Sequence, residues 1–198
     1  MDRTDPIDNG HVSERETGLA ASNRPSTKSF IKQSIILIAI SLVIAKLISA
    51  FVLQTIWIPS GSMVPTIMPG DRVLVAKFYY RFFEPKAGEV ILFHPPVGTG
   101  DGGIDLIKRV IAVENSKVVE EKGKMFIDDN EIDEPYIRED NSNASYGPLV
   151  VPGGELFVMG DNRANSKDSR FIGTIKEEEV IGKALFTYWP INRAGILR

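Results

Sequence analysis

Two serines flank a glycine at Ser60-Gly61-Ser62, inside the stretch Ile58–Asp71 that also carries Pro59, Pro65, Pro69 and Gly70. Such an arrangement lets one hydroxyl act as a nucleophile while the other, with a backbone N–H, faces a developing oxyanion. Taken alone, such a triplet is more often a solvated turn. Acyl transfer also needs a base to take the serine proton and a group to orient that base. Histidine is the usual base, yet the only two histidines are His11, in a polar N-terminal stretch, and His94, which ends a strand just before Pro95-Pro96. A lysine serves instead where an apolar setting strips its charge. Lys108 lies in the apolar run Asp105–Val113 (DLIKRVIAV) beside Arg109. The pair reads either as two solvated charges on a sheet edge or as a lysine that faces an apolar site and gives up its proton.

The third polar concentration is Gly160–Gly173 (GDNRANSKDSRFIG), whose side chains have the bonding capacity to hold a loop by its own hydrogen bonds. It follows Glu155–Met159, an apolar run that reads as a buried strand and would aim the loop at a fixed place.

The elements that must position these residues are mostly short strands. Strands are expected over Phe51–Ile58, Arg72–Phe78, Glu89–His94, Ile104–Val113, Lys117–Glu120, Lys124–Ile127, Glu155–Met159 and Gly182–Trp189. Asp128–Glu131 reads as a tight hairpin turn, and Pro95–Gly103 and Glu139–Pro148 as polar loops. Only Lys176–Val180 looks helical in this part. The proline- and glycine-rich stretch around Ser62 makes neither a helix nor a central strand, so it is a shaped loop. The fold class expected is mainly β, an antiparallel barrel- or sandwich-like domain over residues 51–198.

Ahead of that domain the composition changes twice. Residues 1–29 are polar and mixed in charge, and are expected to form a disordered tail. Residues 30–50 (FIKQSIILIAISLVIAKLISA) are apolar on every face from Ile35 to Ala45, with Lys32 and Lys46 near the two ends. That is the length of a transmembrane helix, about 20 residues, with both lysines able to reach headgroups. A cleaved leader would need small residues at a cleavage site, but Ser49-Ala50 runs on into Phe51-Val52-Leu53. Arg3, Arg15, Arg24, Lys28 and Lys32 precede the span, and the first basic residue after Lys46 is Arg72. An excess of basic residues marks the cytoplasmic side, which puts the N-terminus inside and the domain outside a cytoplasmic membrane. The 198 residues carry a formal net charge of −3 and no cysteine. The charge gives no reason to expect nucleic acid, and the cysteine count excludes disulfides, thiol catalysis and cysteine metal sites.

Taken together, the chain resembles the bacterial type I signal peptidases, membrane serine proteases that use a Ser-Lys dyad. The resemblance runs from Phe51 to Leu197. It rests on SGSM with PT and GD at Ser60–Asp71, IKRV at Ile107–Val110, the loop Gly160–Gly173, and Tyr188-Trp189-Pro190. It implies Ser62 as nucleophile and Lys108 as general base, with the Ser60 hydroxyl and the Ser62 N–H as oxyanion hole. It implies further that Ser166 hydrogen-bonds and positions the lysine, and that Asp168 and Arg170 form a structural ion pair. Two places depart from the family pattern. Ala112–Ser116 stands where the family usually has Gly-Leu-Pro-Gly-Asp, and Ala164 replaces a common aspartate.

The expected function is removal of signal peptides from exported preproteins at the outer face of the membrane. The substrate would lie along the site as an added strand, with Ile58, Met63 and Ile107 as walls of shallow pockets for small side chains. Preprotein signal peptides and the lipid bilayer are the expected partners, and no residue pattern calls for a metal or other cofactor. Three other readings fit parts of the chain. They are a processing peptidase dedicated to one secreted or conjugation substrate, a non-catalytic membrane-tethered module that binds extended peptides, and a soluble self-cleaving repressor. The apolar span and the lack of a basic DNA-reading domain argue against the last.

Overall fold

The computed structural model describes residues 27–99, 103–137 and 144–197, the side chains of 27–29 and 47–51 excepted. Residues 1–26 of the expected tail lie outside the described residues. The chain divides at Leu42/Val43 into two units. Helix α1, Thr27–Phe51, begins inside the segment expected as tail and covers the expected span at 30–50. Its apolar side chains are exposed along the described length, Ile35 at 61%, Leu37 at 64% and Leu42 at 62%. Among the described residues no helix is long and apolar enough to cross a membrane. The side chains of 47–50, which would complete the expected span, lie outside that description.

The second unit is mainly β, and its strand pairs are all antiparallel. The strands are β1 Leu53–Trp57, β2 Arg72–Ala76, β3 Val90–Phe93, β4 Leu106–Ala112, β5 Lys117–Glu121, β6 Lys124–Ile127, β7 Asn130–Glu131, β8 Tyr146–Val150, β9 Glu155–Met159, β10 Ile175–Lys176, β11 Val180–Trp189 and β12 Gly195–Ile196. The larger sheet runs β1-β2-β11-β3-β4-β9-β10 with β12 on β11, and the smaller runs β7-β6-β5-β8. The larger path ends on β1 and on β10, so it is an open sheet and not the closed barrel that is one of the two expected forms.

Burial explains the strand sequences. In β3, Val90 and Leu92 join the cluster of Ile58, Met63, Ile67, Val73 and Ile107, while Ile91 and Phe93 join Val110, Leu156 and Val158. A strand covered on both faces reads as an unbroken apolar run, here Val-Ile-Leu-Phe. β9 alternates, with Leu156 and Val158 on one side and Phe157 and Met159 packed with Val118, Met125 and Ile111 on the other.

Turn chemistry fixes the register of the smaller sheet. Lys122 and Gly123 join β5 to β6, and Asp128 and Asp129 join β6 to β7, all four at positive φ. Two-residue hairpin turns of this hand match the twist of the flanking strands. After β4, where the chain departs from the usual glycine-containing turn, Asn115 takes φ 66 and Ser116 N–H donates to Val113 O at 3.3 Å. Asparagine tolerates the left-handed region, so the turn closes without glycine.

Elements missed at the sequence level are small. β8 occupies part of the segment read as a polar loop, and a one-turn helix α2, Ser169–Ile172, follows the third polar motif. The helical turn expected at 176–180 is a 3₁₀ turn over Glu177–Glu179, preceded by β10 and followed by β11.

Candidate active site

The loop between β1 and β2 is closed at its base. Ile58 N–H donates to Asp71 O at 3.0 Å and Gly70 N–H to Ile58 O at 2.8 Å, which extends the β1–β2 ladder by one rung. Buried Asp71 accepts from Met68 N–H at 2.9 Å and from Arg193 Nε at 2.9 Å. Met63 and Ile67, both 0% exposed, sink into the core below the loop. With the chain pinned on both sides, Ser62 is held at a fixed height at the rim of the sheet.

β4 brings Lys108 to it. This strand is central, between β3 and β9, and both Lys108 (3% exposed) and Arg109 (0%) are buried. The reading of two solvated edge charges therefore does not hold. Lys108 Nζ lies 2.7 Å from Ser62 Oγ and 3.1 Å from Ile107 O. Ser60 is exposed, with its Oγ 3.4 Å from Ser62 Oγ. The two residues furthest apart in the expected pair thus meet, and the second serine hydroxyl stands beside the first.

The third motif closes the site from the β9 side. Asn162 N–H donates to Ser62 O at 3.0 Å, and Asn162 Nδ2 to Gly61 O at 3.0 Å. Gly160 lets this happen: a Cβ there would stand 2.4 Å from Ser62 O and 2.3 Å from Ser166 Oγ. Ser166 is buried, and its Oγ has no hydrogen-bond partner among the described residues. Asp168 and Arg170 form an ion pair through Nε to Oδ1 at 2.9 Å and Nη2 to Oδ2 at 3.0 Å. Asp168 also accepts from Gly160 N–H at 3.1 Å, and Arg170 Nη2 donates to Arg163 O at 2.7 Å, so the pair ties both ends of the loop.

A cavity of about 490 Å³ opens beside Ser62 and Lys108. Ile56, Ile58, Leu92, Ile104, Leu106 and Ile107 give it an apolar lining, with Trp57, Pro59, Ser60 and Asp105 completing the wall. Ile58 and Ile107 are where the sequence places pocket walls. Met63 is not part of the lining; it packs wholly beneath the loop. His94 is exposed, and its Nδ1 sits 2.5 Å from Asp105 Oδ1.

Sequence reasoning missed a second set of polar residues. Arg109 forks onto Asp161, Nε to Oδ1 at 2.9 Å and Nη2 to Oδ2 at 2.7 Å, and Thr66 Oγ1 donates to Asp161 Oδ2 at 2.5 Å. Glu134 pairs with Arg163, and Tyr136 lies against Arg109. A buried arginine demands a partner, and Arg109 in an apolar run was the one sign of this in the sequence. Among the described residues no group of histidine, aspartate and glutamate side chains is arranged to hold a metal ion.

Known proteins resemble this chain along most of its length. Residues 31–189 match the family model described as signal peptidase, peptidase S26. A probable signal peptidase I-1 from a Synechocystis species is 42% identical over 177 residues, covering 87% of this chain and 90% of that protein. A signal peptidase I from Leptolyngbya laminosa is 36% identical over 181 residues, 89% of each chain. A crystal structure of a signal peptidase I from Enterococcus faecalis V583 aligns with TM-score 0.44 and 26% identity, over 51% of this chain and 97% of that one. A family match across most of the sequence, with relatives this similar over nearly their whole length, identifies the chain as a member of the signal peptidase family, peptidase S26.

Proposed function

We propose that this protein is a membrane-anchored serine endopeptidase that removes signal peptides from exported preproteins, with Ser62 as nucleophile and Lys108 as general base. The observation that carries it is the 2.7 Å approach of a buried lysine amine to a serine hydroxyl at the edge of an apolar cavity. Burial disfavours the ammonium form, and a neutral amine at hydrogen-bond distance accepts the serine proton.

Ser62 Oγ attacks the scissile carbonyl as its proton passes to Lys108 Nζ. The tetrahedral oxyanion is met by the Ser62 N–H and the Ser60 hydroxyl. Lys108 then gives the proton to the leaving amine, and an acyl-enzyme remains on Ser62. Water attacks that ester with Lys108 again as base, and the signal peptide leaves with a free carboxylate. Ser166, whose hydroxyl makes no hydrogen bond among the described residues and so is open to the lysine, orients the amine in this reading, and the Asp168–Arg170 pair holds its loop. Ile58 and Ile107 in the cavity wall favour small apolar side chains on an extended substrate.

The anchor in this reading is residues 30–50, an apolar stretch of spanning length. The exposed apolar flank of α1 supports it, since a helix apolar all round needs lipid or protein around it. The basic residues ahead of it favour a cytoplasmic N-terminus and an external catalytic domain.

The test is to incubate the purified full-length protein with a panel of preproteins and locate each cut by mass spectrometry. The expected result is one cut per preprotein at the end of its signal peptide, absent with Ser62→Ala. Binding without cleavage would leave a peptide-binding module, and cleavage of a single substrate would leave a dedicated processing enzyme.

A further inference from the structure

The smaller sheet contributes no residue to the cavity, yet the segment after β7 sends two side chains into the frame that holds the dyad. Glu134 receives Arg163 as a fork: Nη1 donates to Oε2 at 3.0 Å, and Nη2 donates to Oε1. The side chains are 5% and 1% exposed, so this is a buried charge pair. Arg163 Nε in turn donates to Gly160 O at 3.2 Å, at the glycine against which Ser62 O and Ser166 pack. Tyr136 OH donates to Glu134 Oε1 at 3.0 Å. Its ring lies 3.9 Å from the Arg109 guanidinium, the neighbour of Lys108 on β4. Burial, and then the Glu134 carboxylate, push the Tyr136 hydroxyl above its ordinary value, so it stays a donor.

The two residues therefore reach the dyad by two routes. Glu134 acts through Arg163 on the loop that binds the Ser62 carbonyl. Tyr136 acts through Arg109, whose fork onto Asp161 also catches Thr66 of the serine loop. We infer that Glu134 and Tyr136 are positioning residues for the Ser62–Lys108 pair, which makes the segment after β7 part of the catalytic frame. Neither lines the cavity, so their effect falls on turnover and not on substrate binding. The inference rests on the proposed dyad for its kinetic consequence and on geometry alone for the coupling.

Four variants of the full-length protein test it. Glu134→Gln keeps the shape and removes the charge that balances Arg163. Glu134→Asp keeps the charge. Tyr136→Phe keeps the ring on Arg109, and Tyr136→Leu removes it. Misplacing reacting atoms by about 1 Å costs on the order of 10²-fold, so Glu134→Gln and Tyr136→Leu should lower kcat by about 10- to 100-fold with KM within about twofold. Glu134→Asp and Tyr136→Phe should recover most of that loss. Hydrogen exchange at the Asn162 amide, which donates to Ser62 O, should quicken in the first two variants and stay near wild type in the rescuing ones. Wild-type kcat in both Glu134→Gln and Tyr136→Leu would overturn the inference, as would a loss confined to KM. Should Glu134→Gln fail to fold, Glu134→Asp and the tyrosine pair decide the matter by the same readings. Should the wild-type protein cleave no preprotein, the functional reading fails, and exchange at Asn162 decides the coupling by itself. Unchanged protection there in Glu134→Gln would then overturn it.

Discussion

Lys108 Nζ stands 2.7 Å from Ser62 Oγ although 46 positions separate the two residues in the chain. Only the folded sheet creates that contact, and the chemistry assigned to it makes the lysine indispensable. Lys108→Met keeps the stem in its buried slot and removes the base, so the fold should persist and cleavage should vanish. Lys108→Arg should be inactive as well, because a guanidinium keeps its proton. Wild-type activity should rise toward alkaline pH as the amine is freed. Cleavage that survives Lys108→Met would take the role of base away from Lys108.

Ser60 is exposed and beside Ser62, where its hydroxyl can follow charge as it develops. Ser60→Ala should fold normally and lower kcat by about 10²–10³-fold, the scale of one lost oxyanion donor. Steady-state kinetics with a fixed preprotein checks this. Turnover at the wild-type rate would make Ser60 a turn residue only.

Gly160 is the point of closest approach between the serine loop and the third motif. Its alanine variant must move Ser166 or the Ser62 carbonyl, which a Cβ would meet at 2.3 and 2.4 Å. Overpacking of this kind costs about 1–3 kcal/mol. Thermal unfolding should show that loss, and kcat should fall with it, since both displaced groups belong to the site.

Glu120 is 1% exposed, its carboxylate oxygens have no hydrogen-bond partner among the described residues, and Arg170 Nη1 stands 3.6 Å away. Burial raises its pKa above the usual carboxylate value, more than Arg170 and Arg163 lower it. The unfolded carboxyl titrates near about 4.3, so the folded state holds the proton more tightly. That stabilisation is complete below the unfolded value and is lost as pH rises through the folded one. Melting temperatures of the wild type should therefore decline relative to Glu120→Gln as pH climbs above about 4.3. Parallel curves from pH 4 to 8 would contradict it.

The topology has its own test. Protease added outside sealed cells should reach the β domain and spare the N-terminal tail. Digestion of the tail alone would reverse the orientation argued from Arg3, Arg15, Arg24, Lys28 and Lys32.

Much of the β domain was legible because its physics is local. Val90–Phe93 is an apolar run between turn signals, and Asp128-Asp129 is the kind of pair that accepts positive φ. Ser62 and Lys108 stood out by type, but type alone left Lys108 open between an edge charge and a buried base, and their roles came from the resemblance. β8 was not, because Gly147 and Pro148 break the alternation that marks a strand. The partners of buried charges were hidden for a different reason. Arg109 and Asp161 are 52 positions apart and Glu134 and Arg163 are 29 apart, and nothing local in either member names the other. Met63 was expected in a pocket wall, whereas the turn carries it under the loop into the core.

The ten-residue strand β11 lies between the β1–β2 hairpin that carries Ser62 and the β3–β4 hairpin that carries Lys108. It pairs with β2 on one side and β3 on the other, so no ladder joins the two hairpins without it. During synthesis, both halves of the dyad emerge long before this strand does. A chain stopped short of Val180 holds Ser62 and Lys108 in two hairpins that no strand ladder yet joins. The backbone ladder between the two hairpins is thus completed only when nearly the last segment has been made.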